Sequence, residues 1–325
     1  MDIMRLNLHL LLCATAVLPL TMCQQNNNGL LPAGTIQAAD PQADGLLTEA
    51  KSLVAQNELG EAREKLRDIT RNHNLAPCAP EARMLLAEVY EKQGLPRDAF
   101  DEYDKIVNRY QSSPLYTKAL ERQLALAMAA ADGSLKVSVL GLWEAELESS
   151  AVEKWLRSVI SNAPYNDMAA TATSILGRYL VRKERYDEAA AVYASLVEKY
   201  PDSRYAPESQ LMVAQLWADS RTRGDRNLAN LTRAQEAYEE FTLRFPGHPD
   251  AGKALAEASN VRRLMVQQEL ETGRYYLERS HEYGSAIFCF ENVIRQKNIN
   301  PEAAKEAATL LARARQLQAN PAKKS

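Results

Sequence analysis

The sequence predicts an all-α protein, a right-handed solenoid of antiparallel helix pairs closed by a C-terminal capping helix. Three observations support this fold class. Ala, Leu, Glu, Arg and Tyr dominate the 325 residues, whereas 13 Gly and 14 Pro stand mainly between periodic segments, and the dominant residues favour helices. No segment alternates apolar and polar residues over a useful length, so we expect no β-sheet. Small and large residues recur at fixed spacing, which is typical of stacked helical repeats.

Three segments carry the repeat most clearly. The best one covers 168–201, with a small and a large residue in each predicted helix and a final Pro: Gly177, Leu180, Ala189, Tyr193 and Pro201. Two earlier copies have Ala87, Tyr90, Ala99 and Tyr103, and Ala50, Leu53, Ala62 and Leu66. In all three, the first small residue precedes the second-helix Ala by twelve positions. This agreement predicts helix pairs of constant geometry.

The remaining segments are modified copies of the same unit. Residues 116–131 predict the first helix of a degenerate pair, whose second helix contains Ala151 and Trp155 and is followed by Pro164. A later pair is interrupted by a polar excursion over 220–231, between Ala214-Trp217 and Ala234-Tyr238-Pro246. The stretch 250–279 predicts one long helix, which turns at 280–284 into a helix with Ala286 and Phe290. Residues 301–318 begin with Pro, which the first turn tolerates, and predict the capping helix.

A small residue with a large one three positions later, followed by Ala-x3-aromatic and a closing Pro, resembles the tetratricopeptide repeat. That resemblance implies about six stacked units that form one continuous core and a curved superhelix with a concave groove. It also implies a scaffold that binds other proteins through this groove and is not an enzyme.

The N-terminus predicts export. Residues 6–20 are almost continuously apolar, too short for a comfortable membrane span but typical of a signal peptide. We assign 1–22 to this signal, with Met4 as an alternative start; a buried N-terminal helix is the other interpretation. Leu20-Thr21-Met22-Cys23 resembles the lipobox of bacterial lipoproteins, which implies a lipid on Cys23, and Gln24 in place of Asp implies the outer membrane, with the protein on its periplasmic face. Cleavage without lipidation is the alternative.

The predicted signal is followed by a flexible tether over 23–42, which is polar after Cys23 and cannot form a core. We divide the rest into N-terminal repeats at 43–163, C-terminal repeats at 164–318 and a tail at 319–325.

Nothing in the sequence predicts catalytic, cofactor or metal chemistry. The four His residues, His9, His73, His248 and His281, have no ligand partners at metal-site spacing. Of the four Cys residues, Cys13 lies in the signal, and a bridge between Cys78 and Cys289 has no support; Cys289 is expected to be a small buried thiol. A net charge of -3 argues against nucleic acid as a partner. Carboxylates at helical spacing from Lys and Arg predict solvated faces, although a dispersed enzyme site stays an alternative.

Three strings resemble BamD-type lipoproteins, the tetratricopeptide subunits of the outer-membrane β-barrel assembly machinery. They are 200–206, the Ala-x3-Tyr-x2-Phe-x4-Pro pattern of 234–246, and 269–279 with the Tyr and Ala that follow. The resemblance implies binding to the barrel-forming subunit and to unfolded barrel proteins. It places partner contacts near the end of the long helix, at Glu269, Glu271, Arg274, Tyr275, Tyr276, Glu278 and Arg279. An envelope or division coordination factor, or a pilus or secretin assembly factor, stays an alternative.

Overall fold

The computed structural model describes residues 39–139, 143–221 and 228–319, so the predicted signal, Cys23, most of the tether and the tail lie outside the described residues. In the described residues the chain forms thirteen α-helices. They are α1 Pro41–Ala55, α2 Leu59–Asn72, α3 Ala79–Lys92, α4 Pro96–Arg109, α5 Tyr116–Asp132, α6 Ser149–Asn162, α7 Asp167–Arg182, α8 Tyr186–Lys199, α9 Ala206–Ala218, α10 Leu228–Arg244, α11 Ala251–Tyr275, α12 Tyr283–Arg295 and α13 Pro301–Ala319. The all-α prediction is confirmed.

The helices form six consecutive pairs, here called units one to six, and α13 covers the last of them. Each helix contacts mainly the helix before it and the helix after it in the chain. Contacts of this kind give a stack in which each unit rests on its neighbours. The predicted solenoid of about six units with a capping helix is therefore confirmed.

A left-handed residue reverses the chain in several units. Asn57, Gly94 and Glu184 have φ values of 62°, 70° and 59°, and each lies seven positions after the first small residue of its unit. The next backbone N–H then closes the helix end, as in the 3.0 Å bond from Arg185 N to Leu180 O. A left-handed residue is a common helix terminator because it lets the last carbonyls find donors.

The predicted repeat-packing residues lie between the helices. Eleven are buried and Tyr90 is half-buried; the buried ones are Ala87, Ala99, Tyr103, Gly177, Leu180, Ala189, Tyr193, Ala234, Tyr238, Ala286 and Phe290. Neighbouring units also share aromatic contacts, such as the parallel rings of Phe100 and Trp155, 4.4 Å apart. The largest core cluster runs from α3 to α11, across the predicted 163/164 division, and smaller clusters lie at the two ends.

The expectation of no β-sheet is wrong. Strands β1, Lys136–Val139, and β2, Trp143–Glu146, form an antiparallel hairpin between α5 and α6, with Val137 opposite Ala145. Lys136 Nζ lies 3.0 Å from Glu146 Oε1 across the pair. Each strand has only four residues, which is too short for an alternating pattern to stand out from the sequence.

Two predicted boundaries shift. Helix α1 begins at Pro41, inside the predicted tether, because the Asp40 side chain accepts a hydrogen bond from Ala43 N. The polar excursion is shorter than expected: a 3-10 turn covers Asp219–Arg221 and α10 begins at Leu228. Within the described ranges, no helix is both long and apolar enough to span a bilayer.

Candidate functional site

The first helices of units three, four and five border a groove of about 550 Å³, here called the central groove. Its walls come from α5, α7 and α9, and Tyr193 reaches it from α8. The lining residues are Met128, Ala131, Asp132, Ile175, Arg178, Tyr179, Val181, Arg182, Tyr193, Glu208 and Met212. A groove along successive first helices is the concave surface that the repeat fold predicts.

The floor of the central groove is apolar and adaptable. Met128 is 42% exposed and Ile175 is buried, while Met212 on the facing helix is half-buried. Methionine side chains are flexible and polarisable, so they adjust to ligand side chains of different shape. The floor can therefore accept apolar side chains without demanding one sequence.

Gly177 and Tyr193 set the depth of this floor. A Cβ at Gly177 would lie 2.6 Å from Tyr193 Cζ, so the Tyr ring lies directly against the backbone of α7. Burial raises the pKa of Tyr193 to about 12, because the phenolate would lose its hydration. Tyr193 therefore presents a neutral side chain to the groove at physiological pH.

Opposite charges stand on the two sides of the floor. Arg178 of α7 and Glu208 of α9 are exposed, and neither makes an ion pair or a hydrogen bond with another residue in the described part of the chain. Arg182, one turn further along α7, is engaged differently: it donates to Ala131 O and lies 5.7 Å from the centre of the Tyr179 ring. The central groove thus offers one available cation and one available anion beside an apolar floor.

The seven predicted partner-binding residues near the end of α11 have different roles in the structure, and two of them bind neighbouring helices. Glu269 accepts from Asn292 Nδ2 at 2.8 Å and from Gln296 Nε2 at 3.1 Å, which ties α11 to α12. Arg274 forms an ion pair with Glu306 of α13. These two side chains hold the last unit and its capping helix together.

The other five residues differ in exposure. Glu271 is half-buried with a contact inside the chain, and Tyr276 packs against the terminal core cluster. Tyr275 is 59% exposed, and Glu278 and Arg279 are exposed. The surface that this end offers to a partner is therefore formed by Tyr275, Glu278 and Arg279.

The string 269–279 also repeats a feature of unit four. Gly177-Arg178-Tyr179-Leu180 corresponds to Gly273-Arg274-Tyr275-Tyr276-Leu277 with one extra Tyr. A Cβ at Gly273 would lie 2.6 Å from Phe290 Cε1, as at Gly177 and Tyr193. Part of this string is thus explained by repeat packing, and the same signal, an Arg after the helix glycine, could have identified the central groove.

Residues that could support redox or metal chemistry are dispersed. Cys78 and Cys289 are free thiols, and burial raises the pKa of both, that of Cys78 to about 11. Cys289 is 9% exposed, in agreement with the predicted buried thiol. Among the described residues, no group of three or more His, Cys, Asp or Glu side chains is placed to hold a metal ion.

The helix pairs define the chain as a helical-repeat solenoid. A tetratricopeptide repeat model matches residues 47–117 and 143–204, which include most of units one and two and all of α6 to α8. In these segments the chain is similar to the tetratricopeptide repeat. A comparison with curated proteins found no match.

Three solved structures are similar in outline. A tetratricopeptide repeat protein from Parabacteroides merdae is 13% identical, with a TM-score of 0.32, over 84% of this chain and 100% of that chain. A thermophilic tetratricopeptide repeat protein from Thermus thermophilus is 18% identical, with a TM-score of 0.29, over 66% and 98%. The apo form of RapI is 10% identical, with a TM-score of 0.34, over 86% and 76%. At these scores the similarity carries no conclusion about function.

Proposed function

We propose that the chain is a non-catalytic scaffold whose central groove holds a segment of another protein. The observation that carries this proposal is a pair of charges on opposite sides of an apolar floor, Arg178 and Glu208, neither of which has an ion-pair or hydrogen-bond partner among the described residues. In unit six the corresponding arginine, Arg274, is neutralised by Glu306 of α13. At the end of the solenoid the capping helix thus supplies the acidic partner of the arginine, and in the central groove a bound segment would supply it.

The groove chemistry defines the segment it would hold. An occupant needs apolar side chains for Met128, Ile175 and Met212, an acidic group for Arg178 and a basic group for Glu208. Segments of outer-membrane β-barrel proteins alternate apolar and polar residues, because one face meets lipid and the other meets the lumen. Such a segment can present apolar side chains to the floor and polar ones to the two charges.

We place this binding activity at the periplasmic face of the outer membrane, in the assembly of β-barrel proteins. The support is sequence-based: the apolar run of 6–20, the lipobox-like residues before Cys23, and the three strings that resemble BamD-type lipoproteins. On this proposal the exposed residues Tyr275 and Arg279 contact the barrel-forming subunit, and Cys23 carries the lipid.

The binding proposal is tested by reversing the two groove charges. Arg178→Glu combined with Glu208→Arg keeps the net charge and removes no ion pair between described residues, so the chain should fold normally. Capture of unfolded outer-membrane β-barrel segments by the purified chain should fall about tenfold or more, because two charge-assisted contacts become repulsive. Crosslinking or pull-down with labelled segments measures this loss.

A matched control uses exposed residues outside the groove. Arg313→Glu with Glu236→Arg also exchanges two exposed charges and should leave capture of the segments unchanged. Equal capture by the groove variant and the wild type would reject the central groove as the binding site. Normal barrel-protein levels in cells depleted of the chain would reject the assembly role and leave the binding activity for another envelope process.

The anchoring proposal has its own test. Cys23→Ser should move the protein from the membrane fraction to the soluble periplasm, because one thioether-linked lipid attachment would be lost. Cys78→Ser, at a half-buried thiol of the folded body, is the control and should fractionate with the wild type. If Cys23→Ser also stays in the membrane fraction, the lipid is not attached there.

A further inference from the structure

A second concave site lies on the outer side of the solenoid, between the second helices of units one and two. It has a volume of about 500 Å³ and is here called the outer cleft. Helices α2 and α4 form its walls, and α3 contributes Arg83 and Tyr90. It does not overlap the central groove, which lies on α5, α7 and α9.

The lining of the outer cleft is strongly basic in a chain whose net charge is -3. Five cationic side chains contribute to it, namely Arg67, Arg71, Arg83, Lys105 and Arg109, against the two carboxylates of Asp98 and Glu102. The formal charge of the lining is therefore +3. Lining of one sign within low-dielectric walls concentrates counter-ions in a cleft.

Glu102 does not neutralise the site, because it is shared. Arg83 Nη1 and Lys105 Nζ each lie 2.6 Å from a different oxygen of this carboxylate, so the three groups together keep one positive charge. Arg83 is 3% exposed, and its other terminal nitrogen, Nη2, donates a hydrogen bond to Thr70 O at 2.9 Å. This network fixes a buried cation at the base of the cleft.

Other donors remain available. In the described part of the chain, the Arg71 guanidinium and the Tyr90 hydroxyl make no hydrogen bond. Burial raises the pKa of Tyr90, so its hydroxyl keeps the proton that it can donate. Arg67 forms an ion pair with the exposed Glu64, at 3.3 Å. Last-turn arginines also offset the helix dipole, but that role does not require the five cations to share one cleft.

We propose that the outer cleft binds a phosphate group. A phosphate carries up to two negative charges and several acceptor oxygens, which suits converging guanidinium groups better than a single carboxylate does. The bound phosphate is contacted by Arg67, Arg71 and the Tyr90 hydroxyl, while Arg83 contributes its positive field from below. The phosphate can belong to an anionic lipid headgroup or to a soluble phosphate compound.

Calorimetric titration of the purified chain tests this site, with pyrophosphate as the soluble probe. Pyrophosphate should bind saturably at one site and more weakly as the salt concentration rises. Arg67→Ala combined with Arg71→Ala should weaken binding at least tenfold, because two charge-assisted contacts are lost. Tyr90→Phe, which keeps the ring, should weaken it to a smaller degree.

The matched control removes the same charge from exposed arginines elsewhere. Arg263→Ala with Arg313→Ala, both at exposed residues, should bind pyrophosphate within twofold of the wild type, and circular dichroism should show all variants folded. Vesicles of phosphatidylglycerol, compared with phosphatidylcholine alone, distinguish the two sources of phosphate. Charge-dependent binding to the former, lost in the cleft variant, assigns a lipid headgroup; binding of pyrophosphate alone assigns a soluble compound.

Two results would overturn the proposal. One is the absence of saturable binding to both pyrophosphate and phosphatidylglycerol vesicles. The other is equal weakening by the cleft variant and the control variant, which would reduce the effect to net charge. Neither result bears on the central groove, whose ligand is captured independently of these arginines.

Discussion

Unit four and unit six contain the same contact in two different settings. In both, a helix glycine lies against an aromatic ring of the second helix: Gly177 against Tyr193 and Gly273 against Phe290. Gly177 precedes Ala189 by twelve residues, whereas Gly273 precedes Ala286 by thirteen. The extra residue is absorbed by a π-helical turn over Tyr276–Ser280, and His281 takes the left-handed conformation that Glu184 takes in unit four.

The comparison shows how one residue can be inserted without moving the core contact. A π-helical turn contains one residue more than an α-helical turn, so it widens the helix locally and leaves the flanking register intact. The two units differ in the surroundings of the arginine that follows the helix glycine. Arg178 of unit four faces Glu208 across an open groove, whereas Arg274 of unit six is paired with Glu306 of the capping helix.

The largest expected effect comes from removing the aromatic ring in either unit. Tyr193→Ala and Phe290→Ala should each lower the free energy of unfolding by about 3–5 kcal/mol, because each opens a cavity in a close-packed region. Chemical denaturation monitored by circular dichroism measures both losses. Glu188→Ala, at an exposed residue paired with Arg185, is the control, and damage equal to that of Tyr193→Ala would reject the assigned register.

The second expected effect is a difference in pH dependence, because Tyr193 titrates and Phe290 does not. Tyr193 has a pKa of about 12 in the folded chain against 10.0 for an unperturbed Tyr, since burial disfavours the phenolate. Its protonated form therefore stabilises the fold fully below pH 10, and this contribution is lost as the pH rises toward 12. A shift of this size corresponds to about 2–3 kcal/mol.

Denaturation curves between pH 8 and 11 test this difference. Tyr193→Phe should lose less stability than the wild type as the pH rises above 10, and the gap should widen with pH. Phe290→Leu should follow the pH dependence of the wild type, because no titrating group is removed. Parallel curves for Tyr193→Phe and the wild type would show that this hydroxyl does not titrate on unfolding.

A third effect tests the glycines. Ala is the better helix former by about 1 kcal/mol, yet Gly177→Ala and Gly273→Ala should each destabilise by about 1–3 kcal/mol, since the new methyl group meets a ring. Gly273→Ala should cost more, because its Cβ would also lie 3.1 Å from Cys289 Cβ.

The double variant Gly177→Ala/Tyr193→Ala completes a double-mutant cycle for the contact between Gly177 and Tyr193. It should be less destabilised than the sum of the single changes, because the methyl group fills part of the space left by the ring. Additive losses would mean that Gly177 and Tyr193 do not interact in solution. Thermal melts of the four chains supply the comparison.

The smallest effect is expected from removing the extra residue itself. Deletion of Glu278, which is exposed within the π-helical turn, should restore the spacing of unit four and leave the melting temperature close to that of the wild type. Deletion of Arg182, at the end of α7, is the control. It should destabilise the chain strongly, because it rotates the following residues by about 100° with no spare residue to absorb it.

The helix pairs could be predicted from the sequence because their cause is local. Ala87, Ala189 and Ala234 are small where two helices approach, and their spacing from large residues follows the helix period. The hairpin β1–β2 could not be predicted, since four residues per strand give too little pattern. The π-helical turn could not be predicted for a related reason. The pattern used a spacing of twelve residues between the first small residue and the second-helix Ala, and unit six has a spacing of thirteen.

The candidate site depended on information that the sequence does not hold locally. Arg178 and Glu208 lie 30 positions apart, and they line one groove because α8 packs against both α7 and α9. Likewise, the sequence alone suggests that Arg274 and Glu269 are exposed helix charges. In the structure, Arg274 pairs with Glu306 of α13 and Glu269 accepts a hydrogen bond from Asn292 of α12. Charged residues in a repeat protein thus gain their roles from the neighbouring unit.

The contact pattern between neighbouring helices has a mechanical consequence. In the part of the chain that the structure describes, α1 and α2 contact mainly each other and α3, and they have a separate small core. Tension applied at the N-terminus is therefore borne first by this pair. We expect force to extend the chain in steps, beginning with α1 and α2, while the central groove stays formed. Single-molecule extension would show a low-force first step; a single rupture of the whole chain would contradict it. A scaffold pulled from its N-terminal end could therefore lengthen without releasing what it holds.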